Sequence, residues 1–388
     1  FENGVWSIWR FNDKTDARGR LMKNNRGVSI ISFILVICIL AVIAFLGYQI
    51  FYEDILNLGL ADSTVINTLN INAGFVNSEN YNSNIVSSSV QNNNYASSKN
   101  ISSNYYYNQL DNYGKLIYTG LAQNKEEIKS GEFSVDFGNQ FNDLLNSDGG
   151  EEQLNIAFQS AWNAYTYDNM DVFYIDVEKL TLTTRTTTIG SLSTHRVVLS
   201  NGDNSNCLKD DFYDRNKIDS KLNLVESIRD AMEKQLEGYS DYEKIRQVHN
   251  WLIENVEYDE YFEAEEPYSI SGALTEGKAV CEGYARSFKY ILDELEIPCI
   301  LVSGTGTNSN GETESHAWNY VLLEGEWYAV DVTWDDPVII GSGYVSNDIY
   351  YENFLKGQNT FFRNHTEDGY LSANSQKFTF PEISVGDY

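Results

Sequence analysis

Positive charge is scarce in this sequence. Its 388 residues carry 27 Lys+Arg against 56 Asp+Glu, a formal net charge of -29. A surface that acidic repels phosphate backbones and excludes nucleic acid as a partner. A glycine-rich phosphate loop is missing, and the four Cys and four His show no spacing that would hold a structural metal or call for a cofactor. Aromatic residues, by contrast, reach 14%, which speaks for folded material rather than a solvating acidic tail. The length leaves room for two domains, or for one domain with an anchor and a linker.

Charge is also unevenly placed. Residues 1–26 hold six bases (Arg10, Lys14, Arg18, Arg20, Lys23, Arg26) and three acids (Glu2, Asp13, Asp16), so they sum to +3. Gly27 to Tyr52 then carries no charge at all. A bilayer-crossing helix needs ~20 apolar residues, and this run is long enough. With bases before it and Glu53 and Asp54 after it, the expected topology is a cytoplasmic segment over 1–26, a single membrane anchor over 27–52, and the remainder outside the cell. Residues 53–108 are rich in Asn, Ser and Tyr without apolar periodicity, and read as a flexible linker.

Folded sequence is expected from 109 onward. Helical spacing at Leu110, Tyr113, Leu116 and Ile117, and again at Leu154, Phe158, Ala161, Trp162 and Tyr165, gives way to β-rich runs of Val, Ile, Thr and Tyr. Residues 109–217 therefore read as a small α+β domain, in which His195 has no evident partner and reads as an exposed strand residue. Two helices follow. One has its apolar stripe at Leu224, Ile228, Ala231, Met232 and Leu236. The other opens on a capping box, Ser240 with Glu243, and its stripe of Ile245, Val248, Leu252 and Val256 includes His249 as a packing histidine.

The chemistry concentrates in residues 218–388. Cys281, Tyr284, Ala285, Phe288, Leu292 and Leu295 recur at helical steps, which puts Cys281 at a helix N-terminus. There a thiol faces unpaired N–H groups and the positive end of the dipole, a setting that favours thiolate. Gly277 and Gly283 are expected to leave room for a substrate. Downstream, HAWNYVLLEGEWYAVDVTWD alternates as a hairpin about Glu324-Gly325, pairing Leu322 with Trp327, Tyr320 with Ala329, Trp318 with Asp331 and His316 with Thr333. In that register His316 and Asp331 emerge on one face as diagonal neighbours, within reach for a carboxylate to hold an imidazole. Nucleophile, base and orienting carboxylate are then all present. Asp335 and Asp336 are the rival carboxylates.

These motifs, GKAVCEGYA, SHAWNYV and WYAVDVTWDDP, together with YEKIRQVHNWLIENVEYD before them and YYENFLKG and FFRNH after, resemble the transglutaminase-like superfamily, whose core is similar to papain-like cysteine proteases. The resemblance covers roughly residues 219–388. It implies an α+β fold in which the nucleophile helix packs on an antiparallel sheet, and no cofactor or metal. It carries the roles of nucleophile to Cys281, general base and acid to His316, and orienting group to Asp331, with His365 structural. The implied partner is a protein or peptide substrate, attacked through a thioester. Water as acceptor gives a protease or amidase, and a lysine amine gives cross-linking; hydrolysis is slightly favoured because protease-like members are common among bacterial surface proteins. A non-catalytic cell-surface binding module on the same fold is the alternative, and a prepilin-like subunit ranks third. Cys207 and Cys299 read as buried free thiols, and Cys38 falls within the membrane span.

Overall fold

The computed structural model describes residues 104–202, 204, 206–336, 351–372 and 374–388. The expected basic segment, the membrane span with Cys38, and the linker up to residue 103 lie outside the described residues. Among those described, no helix is long and apolar enough to cross a membrane.

Near the start of the described residues, Tyr106 is fully buried. Helix α1 (Asn112–Gln123) starts where the Asp111 carboxylate accepts the Gly114 N–H at 2.6 Å, an N-cap that satisfies one orphan donor. It packs on the longer α2 (Gly150–Asp168). Beside them lies a three-stranded antiparallel sheet of β1 (Ser134–Gly138), β2 (Thr181–Ile189) and β3 (Leu192–Ser200), in the order β1-β3-β2. His195 on β3 is buried, not exposed. Its Nδ1 lies 2.9 Å from the Thr186 hydroxyl on the facing strand, so cross-strand pairing supplies the partner that its neighbours in sequence do not.

Two helices lead to the site. In α3 (Arg215–Gln235) the buried face is Ile218, Leu222, Val225 and Met232. Leu224, expected in the stripe, is 45% exposed, because the helix starts at the Asp214 cap and presents a neighbouring row of side chains to the core. In α4 (Asp241–Asn255) the Ser240 hydroxyl caps the Glu243 N–H as expected, and Ile245, Val248, His249 and Leu252 are buried. After it come the short parallel pair β4 (Glu257–Tyr258) and β5 (Lys278–Ala279), then α5 (Cys281–Glu294).

Helix α5 packs on an antiparallel sheet of order β8-β7-β6-β9, made of β6 (Cys299–Thr307), β7 (Thr313–Leu323), β8 (Glu326–Val330) and β9 (His365–Glu367). The fold is thus mixed α/β, with the helix that opens on Cys281 packed on an antiparallel sheet as the resemblance implies. Tyr284, Phe288, Ile291 and Leu292 on the inner face of α5 are all 0% exposed. Each such side chain contributes about 1.5–3 kcal/mol by leaving water. From the sheet, Asn319 donates its side-chain N–H to the Ala285 carbonyl at 2.9 Å and so fixes helix against strand.

The first and last stretches interlock. Tyr106 donates its hydroxyl to the Leu301 carbonyl on β6, and its own N–H reaches Asp168 at 3.0 Å. Gln109 accepts from the Thr379 N–H at 2.8 Å, and the Gln376 N–H reaches Ser160 at 2.7 Å. One hydrophobic core accordingly runs from Tyr106 to Phe378.

Candidate active site

The β7–β8 hairpin turns at Glu324-Gly325, both left-handed (φ 53° and 89°), as a two-residue turn of this kind requires. Its register matches the expected one from Asn319 paired with Val330 to Leu323 paired with Glu326. Beyond Val330 the strand stops, so the expected pairs of Trp318 with Asp331 and His316 with Thr333 do not form. Asp331 instead caps a four-residue helix, α6 (Val332–Asp335), accepting the Trp334 N–H on Oδ1 at 3.2 Å. That turn swings the carboxylate back over β7. The His316 Nε2 donates to Asp331 Oδ2 at 2.7 Å. With Nε2 so engaged, Nδ1 is the nitrogen left for the Cys281 thiol, which lies near enough to help hold the imidazole in its charged form.

Cys281 is half-buried at the first position of α5. The residue before the helix is Val280, which offers no side-chain cap. The first N–H groups of α5 are therefore not occupied by a capping side chain. A five-residue π turn, Gly272–Glu276, precedes this entry. Gly277 and Gly283 serve packing rather than substrate room. Gly277 takes a left-handed φ of 67°, and a Cβ on Gly283 would stand 2.4 Å from the Pro267 carbonyl.

Electrostatics couple the three groups. Burial works against a charged His316, but the Asp331 charge and hydrogen bond, with the thiol beside it, more than offset it and push the imidazole up to about 10. Burial likewise opposes the Asp331 charge, yet His316 and His365 hold the carboxyl well below the usual carboxylate range. Tyr258 and Tyr268 stand close enough to Cys281 to feel it. Burial raises both phenols, Tyr258 to about 12, and the Cys281 charge adds to the shift. A cavity of about 330 Å³ runs along the next turn of α5, lined by Glu282, Arg286, Tyr268 and Phe173 among others.

The rival carboxylates are engaged elsewhere. Asp335 lies 3.0 Å from the Nε2 of His249 on α4 and accepts the Asn353 N–H at 2.7 Å, while burial raises it to about 6. His249 is thus a buried packing histidine with a carboxylate of its own. Asp336 Oδ2 lies 2.6 Å from the Tyr284 hydroxyl. Cys207 and Cys299 are buried free thiols, and burial pushes the first up to about 12 and the second higher still.

Two further residues join the site: Trp334, given no role from the sequence, and His365, which the resemblance made structural. The Trp334 ring stacks on His316, centroids 4.9 Å apart and planes 28° from parallel, and screens the imidazole from water. Gly306 on β6 makes the space: a Cβ there would stand 2.7 Å from Trp334 Cζ2. The WDDP run contains this tryptophan, but only its stacking reveals a role. His365, at the start of β9, reaches Asp331 Oδ2 with its Nε2 at 3.1 Å. Among the described residues, His316, Asp331 and His365 are the grouping able to contact a metal, their ligand atoms lying within 4.8 Å of one another. Hydrogen bonds between the rings and the carboxylate already account for those atoms.

With the geometry in hand, the comparisons are informative. Residues 230–332, which include all three of Cys281, His316 and Asp331, match the family model of the transglutaminase-like superfamily. The kyphoscoliosis peptidases of Mus musculus and Homo sapiens are each 29% identical, over 164 and 167 residues, 39% of this chain. The chain spans about a quarter (24%) of the length of those curated relatives. Similar solved structures include a TGase (14% identity, TM-score 0.27, 45% of this chain and 49% of that one). Another is a candidate cysteine protease from Cytophaga hutchinsonii (15%, 0.24, 42% and 70%). The chain carries a transglutaminase-like domain.

Proposed function

We propose that this protein performs cysteine-dependent acyl transfer on protein or peptide amides, with Cys281 as nucleophile, His316 as general base and acid, and Asp331 as the orienting carboxylate. The observation that carries this reading is the His316 ring, held by Asp331 on one nitrogen with the Cys281 thiol beside it at the start of α5. Sγ attacks the amide carbonyl carbon, and the negative oxygen that forms faces the open N–H groups at the start of α5. His316 hands its proton to the departing amine nitrogen, the C–N bond breaks, and a thioester remains. A water molecule then gives its proton to His316 and its oxygen to the acyl carbon, releasing acid and thiol. Similarity to proteins named peptidases favours water over an amine as acceptor.

The reading extends to place: the uncharged Gly27–Tyr52 run anchors the chain in the cell membrane, the 53–108 segment spaces it, and the catalytic domain works outside. Protease shaving of intact cells should release a fragment beginning within residues 61–108; a folded part cleaved only after lysis overturns this topology. For the chemistry, the full chain is incubated with a peptide-amide analogue carrying a thiol-reactive acyl group, and the adduct is mapped. Label on Cys281 that disappears in His316→Ala supports the assignment. Labelling that is indifferent to His316 returns the fold to a binding module. Parallel incubation of a glutamine peptide with a fluorescent amine reports whether an amine competes with water.

A further inference from the structure

We propose that His365 is a positioning residue of this site, because it donates to the same oxygen of Asp331 that holds the catalytic imidazole. The inference rests on the reading of Cys281, His316 and Asp331 given above. Asp331 Oδ2 stands 2.7 Å from His316 Nε2 and 3.1 Å from His365 Nε2, and Oδ1 takes the Trp334 N–H at 3.2 Å. An oxygen with two lone pairs that accepts two N–H groups is filled. The carboxylate then has one orientation, and turning it breaks three hydrogen bonds at once. With His316 as sole partner, it could swing either oxygen to the ring.

The second imidazole is itself immobile. It is 1% exposed and stacks on Phe361 with centroids 3.9 Å apart and planes 11° from parallel; the Trp318 ring meets it edge to face, centroids 5.1 Å apart. Its backbone pairs with Gly306, the residue that makes room for Trp334. A residue needed only to fill this aromatic niche would carry no polar atoms, since burying an imidazole costs free energy unless its nitrogens are hydrogen-bonded. A phenyl ring would stack on Phe361 equally well. What histidine adds is the donor at Nε2. Sharing the Asp331 charge between two rings also leaves the His316 proton less tightly held than an undivided carboxylate would hold it, so the leaving amine can take it.

The test compares two substitutions in the full chain. His365→Phe keeps the ring and removes the donor. His365→Gln places an amide N–H near the position of Nε2. We expect His365→Phe to lower kcat by roughly tenfold or more with KM within about twofold, the signature of a group acting only on the transition state. His365→Gln should recover to within about threefold of the parent. Parent kcat and KM in His365→Phe, measured while His316→Ala is still inactive, would overturn the inference and leave the triad standing. Parent-level turnover in His316→Ala would instead remove the reading on which the inference rests, and the inference with it. If His365→Phe fails to fold, nitrogen-15 spectra of the unaltered protein decide: Nε2 of His365 must be protonated, and a bare Nε2 refutes the proposal.

Discussion

Replacing Asp331 by Asn exchanges one oxygen for an NH₂ group, and the structure says why that small change is costly. The carboxylate accepts three donors, two imidazole N–H groups on Oδ2 and the Trp334 N–H on Oδ1. An amide has one accepting atom. Placed toward the imidazoles, it turns its NH₂ against Trp334; flipped, it turns the NH₂ against both rings. Either way a fully buried donor meets a donor, and in the flipped orientation His316 is driven to the tautomer that cannot receive the thiol proton. Breaking a buried charge pair costs about 3–5 kcal/mol. At roughly 2–4 °C per kcal/mol for a chain of this size, melting at pH 6 should fall by some 6–20 °C. Turnover should fall by about 10²–10⁴, as when the carboxylate of a serine triad is made an amide. The pH dependence adds a second check. His316, raised from 6.5 to about 10 in the folded protein, contributes stability that is complete below pH 6.5 and is lost as pH climbs from 6.5 toward 10. Asp331, lowered on folding, contributes stability present above its unfolded value and lost as pH falls below it. The melting gap between parent and Asp331→Asn should therefore be widest near pH 5–6 and close in both directions. Differential scanning fluorimetry from pH 3 to 10, run beside amide turnover, measures both. A variant with full turnover and a parallel melting curve refutes the role given to this carboxylate.

Further outcomes follow from the same geometry. Gly306→Ala puts a Cβ 2.7 Å from a rigid indole, and overpacking of this kind costs about 1–3 kcal/mol; Trp334 should tilt off His316, so turnover and melting temperature fall together, and indole fluorescence should report the movement. Under the proposed triad, adding His316→Ala to Cys281→Ala should cost little beyond the single change, whereas multiplied losses in kcat would mean the two act independently. In the native protein iodoacetamide should modify half-exposed Cys281 and leave buried Cys207 and Cys299 untouched until denaturant is added; mass spectrometry showing equal labelling of all three would contradict the packing.

The nucleophile helix and most of the hairpin were legible in the sequence because both signals are local. A period of 3.6 placed Cys281 at a helix start, and alternation about Glu324-Gly325 set the register as far as Val330. The same alternation misled beyond Val330. Asp331-Val332-Thr333-Trp334 has the residues of a strand, but an aspartate positioned to cap the Trp334 N–H nucleates a turn of helix instead, and local capping outweighs β preference there. Asp331 reaches His316 all the same, by a different backbone path. His365 lies 34 residues farther on, and a three-residue edge strand brings it back to the site. No periodicity spans such a gap. Gly283 was misread for a related reason: the backbone it accommodates, at Pro267, is distant along the chain from the motif that contains it.

The interlock of the first and last stretches has a kinetic consequence. The bonds between Gln109 and Thr379 close a separation of 270 residues, and the bond from Tyr105 to Thr379 closes one of 274. Loop-closure entropy must be met before such contacts return anything, so chains rich in them fold slowly. Arg286, one turn along the nucleophile helix, donates to the Thr166 carbonyl on α2, which puts the helix bearing Cys281 among the parts that await this long-range closure. On a ribosome, the thiol would leave the exit tunnel well before the segments that enclose its helix are complete, and the packing around Cys281 would be among the last features the nascent protein acquires.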